Sequence, residues 1–217
     1  MPFPPFNKEE SNLAYSNVGI VNLALRRIGV ARIASFTEDS PQAIDANACW
    51  EYIRDIVLEA KNWKFATLRY KLTQSTLTPE FGYDYAYGLP VDFLRLAYAT
   101  KDEPSVYLEN TAAEYPHVIE TLSDGNLYLL TDYDNESYDI YIRAIRRVTD
   151  PQKYFPSFID ALAWRLAAEL STPLKEDQFK QCMQMYDFSL TRAEGVNQSF
   201  DFLEDETGSS SWLDAGR

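Results

Sequence analysis

Apolar residues at Ala43, Ala46, Trp50, Ile53, Val57 and Ala60 recur at alternating spacings of three and four, which places them on one stripe of a helix. Cys49, Tyr52, Ile56 and Trp63 widen that stripe, while Glu51, Arg54, Asp55, Glu59 and Lys61 fill a narrow wet arc. The pattern predicts a helix over 40–66, with Ser40 as N-cap and Pro41 in the first turn, where a missing N–H costs nothing. It is the longest such pattern in the chain, so the other elements are expected to pack around it. A shorter helix is predicted from Ser16 to Arg27, with Val18, Val21, Leu25 and Ile28 inward and Gly29 as its stop. Pro156 or Ser157 opens a third, SFIDALAWRLAAEL, apolar all round but for Asp160, Arg165 and Glu169 and closed by Pro173. Its Ala161, Ala163, Ala167 and Ala168 are small enough to lie against Ala43 and Ala46. A fourth, from Lys175 to Glu194, turns Phe179, Cys182, Met183, Tyr186 and Leu190 inward and ends at Gly195.

Between 67 and 150 the period becomes two. Leu68, Tyr70 and Leu72 alternate with Thr67, Arg69 and Lys71, and Phe81, Tyr83, Tyr85 and Tyr87 alternate with Gly82, Asp84 and Ala86, which predicts all four aromatics on one strand face. Gly88, Leu89 and Pro90 break the run. Further strands are expected at 93–99, 105–108, 118–122, 127–131 and 138–148, with a tight hairpin turn at Ser123, Asp124, Gly125 and Asn126.

Together these elements predict an α+β, mainly α protein: an antiparallel helical bundle (12–66 and 151–196) carrying an inserted small antiparallel β domain (67–150). An extended arm with Pro2, Pro4, Pro5, Phe3 and Phe6 (1–11) precedes it, and an extended acidic C-terminal tail (197–217) follows. With 217 residues, 46% hydrophobic and 14% aromatic, the chain can bury a sizeable core. A net charge of −13 and a pI near 4.5 argue against gripping nucleic acid phosphates. No stretch approaches the roughly 20 apolar residues of a membrane span, and the start lacks a signal-peptide core, so a cytosol-like compartment is expected. Cys49 and Cys182 fall in predicted helices outside any metal-ligand spacing, which fits two reduced, buried thiols.

Chemistry finds little support. His117, the one histidine, sits at a strand entry, where a structural role outweighs a catalytic one. Asp132, Asp134 and Glu136 alternate as calcium ligands or glycosidase acids could, but a solvated hairpin loop explains them better. No phosphate-cradling glycine loop, HExxH or CxxC occurs, so no catalytic residue, metal or cofactor is expected. Fifteen tyrosines could stack bases only with a cationic groove beside them; sheet core or subunit interface fits them better. Arg143, Arg146 and Arg147 form the basic cluster, with Arg146 on the opposite strand face, which suits salt bridges to neighbouring acids over a phosphate patch.

The order NWKFA (62–66), YGLPVDFLRL (87–96), the block from Ile140 to Leu174 with ALAWRLAAEL, and an acidic tail closing in SSWLDAGR resembles the tail tubular protein A, or adaptor, family of short-tailed bacteriophages. The similarity covers residues 13–217. Physically its motifs read as locks: Leu89 and Pro90 fix a sharp entry into the sheet, Asp92 caps the turn, and Trp50, Trp63 and Trp164 anchor the helices. The resemblance implies a virion tail protein made in the host cytoplasm, a twelve-subunit ring that joins the portal protein above to a tail nozzle protein below. Genome DNA would pass through that ring without specific binding, and no membrane is involved. The tail contributes Phe200, Phe202, Leu203, Trp212 and Leu213 as the expected portal-binding set, apolar knots on a flexible acidic spacer. Two rival readings are a non-viral helical protein-interaction scaffold and a tail-associated peptidoglycan hydrolase.

Overall fold

The computed structural model describes residues 16–101, 115–174 and 178–199. Four helices are α1 (Asn17–Arg27), α2 (Pro41–Ala60), α3 (Pro156–Leu174) and α4 (Phe179–Gln198). Six strands are β1 (Thr67–Lys71), β2 (Tyr85–Gly88), β3 (Phe93–Thr100), β4 (Val118–Thr121), β5 (Leu127–Thr131) and β6 (Tyr141–Arg146). They form two antiparallel three-stranded sheets, in the orders β1-β6-β3 and β2-β5-β4.

This corrects the expectation of a mainly α bundle with one small sheet. The protein is α+β, 43% helix and 20% strand, and its first sheet shares the helical core. Central strand β6 is buried on both faces: Ile145 joins the cluster formed by the helices, while Ile142 and Ala144 face Tyr87 and Leu129 of the second sheet. Helices, first sheet and second sheet therefore stack as three layers. Ala86, Tyr128 and Leu130 carry a smaller cluster on the far face of the second sheet.

The organising helix is also not the one with the longest apolar pattern. α3 packs against α1, α2 and α4, which follows from its being apolar nearly all round. Ala43 and Ala46 of α2 and Ala161, Ala163, Ala167 and Ala168 of α3 are fully buried. Arg27 of α1 spans to α3, donating through Nη1 to the Asp160 carbonyl at 2.9 Å and through Nη2 to its carboxylate, while its guanidinium lies 4.1 Å from the Trp164 ring. Ser189 of α4 donates to the other Asp160 oxygen at 2.8 Å, so one acid ties three helices together.

Local signals explain the helix starts. Ser16 accepts the Gly19 N–H at 2.9 Å, and Ser40 accepts that of Ala43 at 3.4 Å. At the end of α1, Val30 donates to the Leu25 carbonyl and Gly29 to that of Arg26, the Schellman pattern, which needs the left-handed φ of +69° at Gly29.

Helix ends set by tertiary partners differ from the expectation. α2 stops at Ala60 rather than Ala66 because Lys61 is extended and Trp63 folds back, its indole donating to the Val57 carbonyl at 2.8 Å. Arg95 of β3 takes the Glu59 carbonyl at 2.9 Å and Asn62 Oδ1 at 2.6 Å. Two orphan carbonyls of the last turn are thereby satisfied from outside the helix. α4 runs through Gly195 to Gln198, since Asn197, placed by the sequence reading at the start of the tail, is buried and bonded to the segment after α2.

The flanks of α2 are exchanged as well. Tyr52 and Ile56 are exposed, whereas Arg54 and Leu58 are buried, so the core arc extends to the opposite side of the Trp50 stripe. Phe179 of α4 is likewise exposed. In the sheet region the predicted aromatic alternation fails before Tyr85. Gly82 has a φ of +92°, which turns the chain, and β2 begins only at Tyr85. Tyr85 and Tyr87 face the inter-sheet core, Tyr83 packs with Ala86 and Leu130, and Phe81 is 88% exposed. The strand expected at 105–108 lies outside the described residues. At Ser123–Asn126 the hairpin forms, with Gly125 at φ +80° and Asp124 accepting from the Asn126 backbone and the Tyr128 hydroxyl.

Candidate functional site

The motif residues occupy structural positions. Trp63 is fully buried and meets Phe158 edge-on at 5.0 Å; Trp50 is buried beside Phe36 at 5.9 Å; Trp164 is half-buried under Arg27. Phe93 donates to the Pro90 carbonyl at 3.0 Å, closing a turn with Val91 fully exposed at its tip, and Leu89 packs against the inter-sheet cluster. Asp92 sits at the junction of the layers: its carboxylate is 3.6 Å from Arg146 Nη1 and its carbonyl accepts the Arg147 N–H at 2.7 Å. Arg147 Nε in turn reaches Asp55 of α2 at 2.7 Å. Arg146 and Arg147 thus serve internal ion pairs that hold the first sheet to α2. The expected portal-binding residues Phe200, Phe202, Leu203, Trp212 and Leu213, and the arm 1–11, lie outside the described residues.

Groups with reactive potential are committed to local structure. His117 Nδ1 lies 2.8 Å from the Tyr115 carbonyl. Asp134 accepts the backbone N–H groups of Ser137 and Glu136 at 2.7 and 2.8 Å, which holds its carboxyl below the usual range; Asp132 accepts that of Asp84 at 3.3 Å. These acids close a loop. Cys49 and Cys182 are free and buried, and burial pushes the Cys49 thiol up to about 12, far from a nucleophile's range.

One surface feature escaped the sequence reading. Ile44, Ala48, Tyr52 and Ile56 recur every fourth residue along α2, and all four are exposed, forming an apolar ridge over three turns. Tyr52 stands next to Glu169 of α3, so the ridge runs along the α2–α3 edge. Phe179, Phe188 and Val196 are exposed on α4, and Phe81 and Val91 at the sheet tips. The period of four was visible in the sequence, but Tyr52 and Ile56 were absorbed into the predicted core. Only the side on which α3 packs distinguishes core from surface on a helix with apolar residues over so wide an arc.

No protein-family model matches the chain, and no curated protein is significantly similar to it in sequence.

Proposed function

We propose that this chain is a structural subunit of a phage tail: an adaptor that assembles into a ring and joins the portal to the tail nozzle. The observation that carries the reading is the exposed ridge Ile44–Ala48–Tyr52–Ile56, because a rigid helix with a continuous apolar row on its open side is built to be covered by another surface. The motif resemblance supplies the identity of the assembly. The acidic balance of the chain suits a conduit past which DNA slides without sticking. Docking to the portal is assigned to the tail beyond α4, with Trp212 as its anchor.

The test is co-assembly. Native mass spectrometry of the chain with portal rings is expected to give a closed ring of adaptor subunits on the portal, and scattered one-to-one binding would refute the proposal. A chain ending after Gln198 should melt like the full chain yet fail to co-sediment with portal. Duplex DNA bound tightly by the assembled ring at physiological salt would contradict the passive-channel role.

A further inference from the structure

A cleft of about 460 Å³ opens between the start of α1, the middle of α2 and the β6–α3 connection, lined by Asn17, Phe36, Asn47, Trp50, Arg54 and Thr149, with Ala48 and Glu51 completing the wall. Its volume lies in the range of small-ligand sites. Arg54 is only 4% exposed, and among the described residues its hydrogen bonding is confined to one contact, Nε to Asp55 Oδ1 at 2.9 Å. Asp55 also serves Arg147, so one carboxylate is divided between two guanidiniums. A guanidinium has five N–H donors, and a buried cation left with most of them unpaired is costly. Across the same cleft, Asn17 Oδ1 is buried without a hydrogen-bond partner, an acceptor that lacks a donor. Glu51 is exposed to water, where its charge is screened.

These unmet needs are complementary to one chemical group. Arg54 calls for a planar anion, Asn17 for an N–H beside it, and the Phe36–Trp50 pair for an apolar or aromatic neighbour. We propose that the cleft is a carboxylate-binding site for an acidic peptide segment, in which an aspartate or glutamate side chain meets Arg54, a backbone N–H of the segment meets Asn17 Oδ1, and an adjoining apolar side chain lies along Trp50. This chemistry has two possible sources. The chain's own residues 1–15 join the fold at Ser16, beside Asn17, and contain Phe6, Glu9 and Glu10; the other source is a segment of a partner protein. The inference stands independently of the ring.

The experiment titrates the full-length chain with acetyl-Glu-Phe-amide and with acetyl-Gln-Phe-amide, following the Trp50 indole and Arg54 side-chain resonances by NMR. Saturable binding of the glutamate probe, at least tenfold tighter than the glutamine probe, is expected, with the shifts centred on Trp50 and Arg54. Arg54→Gln should abolish the difference between the probes. Because that variant strips Asp55 of a partner, Asn17→Ala provides the second test: it removes an unpaired acceptor, so the melt should be unchanged while the glutamate probe binds about tenfold more weakly. The same titration on a chain carrying Glu9→Gln and Glu10→Gln separates the sources. Tighter probe binding there assigns the occupant to the chain's own N-terminal segment, and equal binding assigns it to another protein. Equal affinities for the two probes, or no saturable binding to either chain, overturn the proposal.

Discussion

Asn197 clasps Asn62: its Nδ2 donates to the Asn62 carbonyl at 2.9 Å, while its Oδ1 accepts the Lys64 N–H at the same distance. One buried carboxamide thus joins the end of α4 to the segment that turns from α2 into the first sheet. Asn197→Ala leaves a buried donor and acceptor unpaired and should destabilise the fold by about 2–3 kcal/mol. Urea denaturation measures it, and Asn197→Asp, which keeps only the acceptor, should fall between the two.

Trp63 is held from both sides, by its indole bond to Val57 and by the rings of Phe158 and Phe65. Trp63→Ala should cost roughly 3–5 kcal/mol, from lost burial and the cavity left behind. Trp50 forms part of a cleft wall, so Trp50→Ala should cost less than Trp63→Ala, at the lower end of that range. Thermal melts that rank the two variants the other way would show that the core is centred elsewhere.

Alkali should unfold the protein through its buried acids. Burial raises the Cys49 thiol from 9.0 to about 12, and the Tyr154 and Tyr87 hydroxyls from 10.0 to about 12. Each group favours its neutral form in the fold, so its stabilising contribution is complete below the unfolded value and disappears as pH rises through the folded one. Stability should therefore decline from about pH 9 towards pH 12. Cys49→Ala and Tyr154→Phe should each flatten that decline, as denaturation midpoints across the range would record.

How much of this was legible in the sequence depends on where each determinant lies. The caps Ser16 and Ser40 and the turn glycines Gly29 and Gly125 act within a few residues, and their elements begin or end as the pattern predicts. The end of α2 was hidden because its carbonyls are satisfied by Arg95 of β3, and the end of α4 because Asn197 reaches back across the chain. Gly82 was read as one term of an alternation, yet its positive φ breaks the strand there. The double burial of β6 depends on a second sheet, which strand periodicity cannot count. For the candidate surface, the tail residues fall outside the described part. Arg54 was read as solvated because charge usually marks a wet face, and its burial beside the cleft depends on how α1 and the β6–α3 connection close over α2.

The ridge on α2 gives the sharpest test of assembly. Ile56 is exposed, so replacing it with glutamate removes little packing from the folded subunit, and the melt should stay within about 0.5 kcal/mol of the parent. If a neighbouring subunit covers the ridge, the same substitution buries an unpaired charge at the interface and should weaken association by at least about 2 kcal/mol, roughly thirtyfold in the dissociation constant. Tyr52→Ala should act in the same direction through lost aromatic contact. Glu120→Gln, on exposed β4 and away from the ridge, provides the control and should leave assembly unaffected. Analytical ultracentrifugation with portal present reads the outcome. Full assembly by Ile56→Glu would show that this face stays open to water and would move the subunit contact to another exposed set, such as Phe179 and Phe188 on α4; a large drop in the melt would instead mean that Ile56 packs within its own subunit.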